Sequence, residues 1–180
     1  MGRKQEIRCR IREIIGAMSA AELDKLSLNV CDGIYGRVMS EKRAGMTILL
    51  YWPLRDEVQT SSVAERLYKD GHRILLPVVD GDSLLLREYC GVQNMRAGAF
   101  GILEPQGGLF DDFGAIDLAF IPGRAFTADG LRLGRGKGYY DRLLPQIACP
   151  KIGVCFQFQI VGELPSEPHD IPMDEVIASF

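Results

Sequence analysis

Apolar residues recur along this chain in two rhythms, a helical one at the start and short continuous runs further on. Ile7, Ile11, Ile14, Ile15 and Met18 fall at helical spacing and predict an amphipathic first helix, with Lys4, Arg8 and Arg12 at four-residue steps beside the stripe. Ser19 and Glu22 form a capping box that opens a second helix, whose Leu23, Leu26, Val30, Ile34 and Val38 face a core. The run at residues 46–52 follows a glycine, ends at Pro53 and reads as a buried strand. Thr60-Ser61-Ser62 then opens a helix with Val63, Ala64, Leu67 and Tyr68 inward, and Gly71 stands at its C′ position. Residues 73–79 are the next strand, which completes a βαβ unit. Asp80-Gly81-Asp82-Ser83 predicts a hairpin turn into an antiparallel strand at 84–89, so the sheet is mixed. Residues 90–114 are glycine-rich and carry no clear period, and Gly98-Ala99-Phe100-Gly101 reads as a loop forming a mobile wall. Strands are expected at 116–121 and 151–156, a short helix at 158–164 and an edge strand at 176–180. No repeat, low-complexity tract or linker divides the chain. The expectation is a single three-layer α/β domain over residues 1–180, with a mixed, mostly parallel sheet.

Composition narrows the partners. A chain of 180 residues can bury a substantial core without disulfides, and 47% hydrophobic with 25% charged residues is ordinary for a soluble globular protein. The net charge of −3 argues against a general nucleic-acid binder, so local basic clusters point to small anionic ligands. Five cysteines without a Cys-x-x-Cys pair indicate a reducing cytoplasm and no zinc site, and two histidines are too few for a histidine-rich metal centre. No apolar run reaches membrane-spanning length, and the polar start lacks a signal-peptide core. Gly2 follows Met1, yet Glu6 breaks the myristoylation pattern. A monomer with no membrane partner is expected.

Candidate chemistry concentrates in residues 132–141, Arg-Leu-Gly-Arg-Gly-Lys-Gly-Tyr-Tyr-Asp. Gly134, Gly136 and Gly138 free the backbone for positive φ and let a ligand approach main-chain N–H groups, while Arg132, Arg135 and Lys137 supply positive charge. Tyr139 and Tyr140 begin a helix whose N-terminus points at the same anion. Asp141 beside an anion site calls for an intervening cation, and Mg²⁺ with phosphate is the common case. The loop matches neither a Walker A motif nor a dinucleotide fingerprint. On spacing alone, a solvated strand-to-helix turn remains a second reading. The strand end after residue 52 places Trp52, Arg55 and Glu57 where α/β sheets gather ligands, although Glu57 also suits a helix approach.

The stretches Ile121-Pro122-Gly123-Arg124-Ala125-Phe126 and Asp129 to Arg142, with Lys4, Arg8, Tyr51 to Glu57, Gly101-Ile102-Leu103-Glu104-Pro105 and His169 to Asp174, resemble the signature of the 5-formyltetrahydrofolate cyclo-ligase family. The resemblance implies a mixed sheet with helices on both faces. It also implies ATP- and Mg²⁺-dependent closure of 5-formyltetrahydrofolate to 5,10-methenyltetrahydrofolate through phosphorylation of the formyl oxygen, releasing ADP and phosphate. It assigns ATP to Lys4, Arg8, Arg132, Leu133, Gly134, Arg135, Gly136, Lys137, Gly138, Tyr139 and Tyr140. Folate falls to Trp52, Glu57, Phe100 and the same loop from Arg135 to Tyr139, with Arg135 and Lys137 as the catalytic cations. Mg²⁺ falls to Asp141 and Asp174. A sugar-phosphate isomerase or acyl-transferase on a similar fold, and a non-catalytic nucleotide- or folate-binding module, are the rival readings. His169 is left without a role, since Asp170 and Pro172 beside it suit a turn equally well.

Overall fold

The computed structural model describes residues 2–98, 101–167 and 170–178. Helix α1 (Arg3–Gly16) buries Ile11 and Ile15 from its apolar stripe. Helix α2 (Ala20–Ser40) opens on the expected capping box, in which the Glu22 amide donates to Ser19 Oγ at 3.3 Å and the Ser19 amide donates to the Glu22 carboxylate at 2.8 Å. Its Val30, Ile34 and Val38 are buried, with Leu23 and Leu26 at the margin of the same cluster.

Strand β1 (Thr47–Leu49) is followed by α3 (Ser61–Lys69), β2 (Arg73–Asp80) and β3 (Ser83–Glu88). The chain continues through β4 (Met95–Ala97), β5 (Leu103–Pro105), β6 (Leu109–Phe110) and β7 (Leu118–Pro122). A hairpin of β8 (Ala125–Phe126) and β9 (Arg132–Leu133) leads to α4 (Tyr139–Leu143), β10 (Lys151–Cys155) and β11 (Glu175–Ala178). Among the described residues, seven strands form one sheet in the order β11-β10-β7-β1-β2-β3-β6. The first five in that order run parallel, and β3 and β6 extend one edge antiparallel. The sheet is therefore mixed and mostly parallel. Ile48, Ile74, Phe120 and Val154 point to the face covered by α2 and α3, whereas Leu49, Leu75, Ile121 and Cys155 point to the face covered by Phe126, α4 and Ile147. Both faces are covered, so the strands read as unbroken apolar runs rather than alternating ones.

The β8–β9 hairpin lies on the second face. Phe126 is fully buried against Gly153, where a Cβ would stand 2.6 Å from its ring. The expected helix at 158–164 is absent. A 3-10 turn at Gln157–Gln159 takes its place, because the Val161 amide donates to the Phe126 carbonyl at 2.8 Å and Gln159 Nε2 donates to the carbonyls of Gly123 and Arg124 at 3.0 and 3.1 Å. The segment makes one short turn on itself and then ties down the hairpin. Residues 90–114, which gave no period, contain the β4–β5 pair and the two-residue β6.

At the hairpin tip Gly130 has φ +94°, and its missing Cβ would lie 2.1 Å from the Met173 carbonyl oxygen. The Met173 amide also donates to the Gly130 carbonyl at 2.8 Å. Gly130→Ala combines left-handed strain with a backbone clash and is expected to lower stability by about 2–4 kcal/mol. Urea unfolding checks this through a lower midpoint at unchanged slope, and a change below about 0.5 kcal/mol would contradict it.

Candidate active site

The chain leaves β1 toward β2 on one side while β7 stands on the other, so the carboxyl ends of β1 and β7 part and open a crevice. A cavity of about 470 Å³ occupies it. Tyr51 and Trp52 from the end of β1, Pro77 and Val79 from β2, Gly123 and Arg124 after β7, and Arg8 and Arg12 from α1 contribute to its walls. The run 46–52 yields only three strand residues because its last part serves the crevice. Thr60 Oγ1 donates to the Tyr51 carbonyl at 2.6 Å in place of capping α3, and the Tyr51 hydroxyl donates to the Val58 carbonyl at 3.3 Å. Burial pushes the Tyr51 phenol well above its ordinary pKa, so it stays neutral. Trp52 stacks on Tyr89 with ring centres 5.9 Å apart.

Strand β9 delivers the glycine loop to the same cavity, whose lining includes Arg132, Gly134, Arg135, Gly136, Lys137, Gly138, Tyr139, Tyr140 and Asp141. Gly136 and Gly138 adopt φ of +95° and +71°, as the spacing suggested, whereas Gly134 does not. Gly134 is small for another reason: a Cβ there would sit 3.0 Å from Arg132 Nη1. Its carbonyl accepts from Arg8 Nε at 2.9 Å, which joins α1 to the loop. The helix that follows has only five residues, so its dipole adds little to anion binding. The cations of the loop must carry that role.

Those cations are held differently. The Arg132 side chain is buried, donates to Asp141 Oδ1 at 2.5 Å and lies 5.6 Å from the Tyr140 ring. Burial lowers its pKa while Asp141 opposes the shift, and burial raises that of Tyr140. Arg135 donates from Nε to Glu57 Oε1 at 2.9 Å and pairs with Asp56, whose other oxygen accepts from Arg124 Nη2 at 2.5 Å. Glu57 Oε2 accepts from the Leu54 amide at 3.0 Å. Burial pushes the Asp56 pKa up, but Arg135 and Arg124 outweigh it and hold the carboxyl below the usual range. Lys137 is exposed on the loop and has no ion pair among the described residues.

Several expected site residues stand elsewhere. Lys4 is outside the cavity lining; its ammonium donates to Glu167 and Asp170 at 3.0 and 3.4 Å, and these acids raise its pKa although burial opposes them. The Leu133 side chain is buried. Phe100 and His169 lie outside the described residues. The structure does not bring Asp174 to Asp141. Asp174 Oδ2 accepts from the Lys151 amide at 2.7 Å, at the amino end of β10, and Met173 beside it seats the hairpin tip. The cavity lies beyond the opposite ends of these strands, about 10 Å away at the rise of an extended chain. Asp174 serves here as a strand-start anchor, and its hydrogen bonds among the described residues do not join it to Asp141. Sequence reasoning missed Arg12, Asp56 and Arg124. Arg12 had a signal in its four-residue step from Arg8, and the other two lie within stretches that carry the resemblance but were given no role of their own.

Among the described residues no group of three or more histidine, cysteine or acidic side chains gathers to hold a metal. A Mg²⁺ ion that travels with nucleotide phosphates needs only one or two protein carboxylates. Asp141 fits that requirement, since it lines the cavity and remains 44% exposed while one oxygen meets Arg132.

A mixed α/β sheet with a cation-walled crevice at its parallel strand ends defines an α/β protein with a ligand site at its strand switch point. Residues 1–179 match the 5-formyltetrahydrofolate cyclo-ligase family, and the chain belongs to it. It is 32% identical to a solved 5,10-methenyltetrahydrofolate synthetase of Aquifex aeolicus, with a TM-score of 0.83 over 97% of this chain and 89% of that one. A 5,10-methenyltetrahydrofolate synthetase of Mycoplasma pneumoniae is 28% identical, with a TM-score of 0.79 over 98% of each chain. The 5-formyltetrahydrofolate cyclo-ligase of Haemophilus influenzae is 28% identical over 97% of each.

The depressed pKa of Asp56 sets a sign for acid stability. A carboxyl with a folded pKa below its unfolded value contributes stability that is present above about pH 4 and disappears as pH falls through the folded pKa. The stability difference between the wild type and Asp56→Asn should therefore hold at neutral pH and shrink below about pH 4 in urea titrations. A difference that grows with acid would contradict the assignment.

Proposed function

We propose that the chain closes 5-formyltetrahydrofolate to 5,10-methenyltetrahydrofolate at the expense of ATP, releasing ADP and phosphate. The observation that carries this reading is the meeting, in one cavity, of the glycine loop and its cations with the aromatic strand end at Tyr51 and Trp52. One wall suits phosphates and the other a flat heteroaromatic ring. Family membership supplies the substrate class.

An N-formyl group is an amide, and its oxygen is a poor leaving group. Transfer of the terminal phosphoryl group of ATP to that oxygen makes it a good one, and attack by N10 on the formyl carbon then closes the ring before phosphate departs. This chemistry needs positioning and charge stabilisation more than a protein nucleophile. Lys137, with no carboxylate partner among the described residues, faces the developing charge on the transferring group. Arg135 turns to the same phosphate, and Arg8 and Arg12 meet the rest of the nucleotide from α1. Trp52 and Tyr51 flank the folate ring, and Glu57 and the loop from Arg135 to Tyr139 contact it. Mg²⁺, with Asp141 as its protein carboxylate, would neutralise and orient the ATP phosphates. Lys4 acts at a distance, fastening α1 to the segment at Glu167 and Asp170. The working unit in this reading is one catalytic domain acting as a monomer, and the free thiols of Cys9, Cys31, Cys90, Cys149 and Cys155 suit a reducing cytoplasm.

Incubation with 5-formyltetrahydrofolate, ATP and Mg²⁺ should produce the near-ultraviolet absorbance of the methenyl product, and no product would overturn the reading. Lys137→Ala should lower kcat by about 10²–10³ with an unchanged circular dichroism spectrum. Near-normal turnover in that folded variant would remove Lys137 from the mechanism. Replacing Arg8 and Arg12 by Gln should raise the KM for ATP by about tenfold and leave that for the folate within about twofold. An equal rise in both would instead place the helix at neither substrate in particular.

A further inference from the structure

Arg124 lines the cavity with a side chain only 9% exposed. One arm of its guanidinium is used, Nη2 donating to Asp56 Oδ2 at 2.5 Å. The other, Nη1, is buried with no hydrogen-bond partner among the described residues. An unpaired buried guanidinium donor is costly and calls for a reason. The backbone of Arg124 is fixed at both groups, its amide donating to the Leu133 carbonyl at 2.7 Å and its carbonyl accepting from Gln159 Nε2 at 3.1 Å. Arg135, by contrast, sits on the glycine loop with its side chain 32% exposed; it pairs with Asp56 Oδ1, reaches Oδ2 at 3.4 Å, where Arg124 also donates, and holds Glu57 at 2.9 Å. Asp56 is thus shared between an anchored, buried arginine with a spare donor and a more exposed one on the loop.

We infer that Arg124 is a positioning residue that takes over Asp56 when Arg135 turns to the phosphates of a bound nucleotide. Its Nη1 moves onto the oxygen that Arg135 gives up, and a one-point contact becomes a two-point fork. Release of Arg135 then leaves Asp56 with a cation, while Glu57 keeps the Leu54 amide, and the donor that is unpaired in the ligand-free protein gains its partner. The inference rests on the proposed function, which sends Arg135 to the nucleotide.

The test is calorimetric binding of adenylyl imidodiphosphate, a non-hydrolysable ATP analogue, with Mg²⁺. Arg124→Met should weaken binding about tenfold, because Arg135 becomes the one cation left to Asp56 in this trio and resists leaving it. Adding Asp56→Asn to that variant should restore affinity to within about twofold of the wild type, since no charge remains at position 56 to strand and the Glu57 contact is common to both proteins. Unchanged affinity in Arg124→Met, no recovery in the double variant, or a lowered Tm with unchanged affinity would each overturn the inference. Should Arg124→Met not fold, Arg124→Lys keeps the charge without the fork, and a partial loss rescued in the same way is expected. In the wild type, nuclear magnetic resonance of nitrogen-labelled arginine should show the Arg124 Nη protons becoming protected on analogue addition, and no change there would equally overturn it. Failure of the wild type itself to bind the analogue would overturn the proposed function, and the inference with it.

Discussion

The seating of the β8–β9 hairpin on the sheet is the constraint from which the site follows. Phe126 fills the space that Gly153 leaves open, Gln159 and Val161 bond to the hairpin backbone, and Gly130 closes its tip against Met173. A loop of three glycines has little conformational preference of its own. It acquires a position because both its entry through Leu133 and its exit through Leu143 are buried in the same cluster or beside it. Core packing therefore sets where the cations stand, and the glycines let the backbone bend between the two fixed points.

Charge around the cavity is arranged in advance of any ligand. Arg132, Arg135 and Arg124 are matched by Asp141, Glu57 and Asp56, so the burial of guanidinium groups near one another is compensated. Among the described residues Lys137 and Arg8 are not matched by carboxylates, and Arg8 donates to a carbonyl instead. The compensated arginines give the wall a fixed shape, and the unmatched cations give it a net attraction for anions. The two requirements of a phosphate site, order and positive charge, fall on different residues.

Most of the fold was legible because its strands are buried on both faces and its helices carry caps and stripes. Ser19 with Glu22, the run before Pro53 and the Asp80 to Ser83 turn each have a local cause that acts regardless of distant sequence. The helix expected at 158–164 fails where the Val161 amide is claimed by the carbonyl of Phe126, a residue more than thirty positions earlier, which no local pattern reveals. The glycine loop was legible in composition, yet the separate reason for Gly134 was not, since it depends on where the Arg132 side chain folds back. Asp56 and Arg124 escaped notice because their significance is their contact across the crevice. Asp174 shows the reverse case, in which a residue singled out by resemblance is held by a strand-start hydrogen bond far from the loop.

Trp52 is the single tryptophan of the chain, and it stands at the wall of the cavity, stacked on Tyr89. Tyr89 is itself fixed by donating its hydroxyl to the Glu65 carboxylate at 2.5 Å, and burial together with this bond raises its pKa. The indole emission of this protein therefore has one source, and that source lies beside the ligand space with no background from a second indole elsewhere. The fold carries a native optical reporter of its own occupancy, readable at nanomolar to micromolar protein without any label.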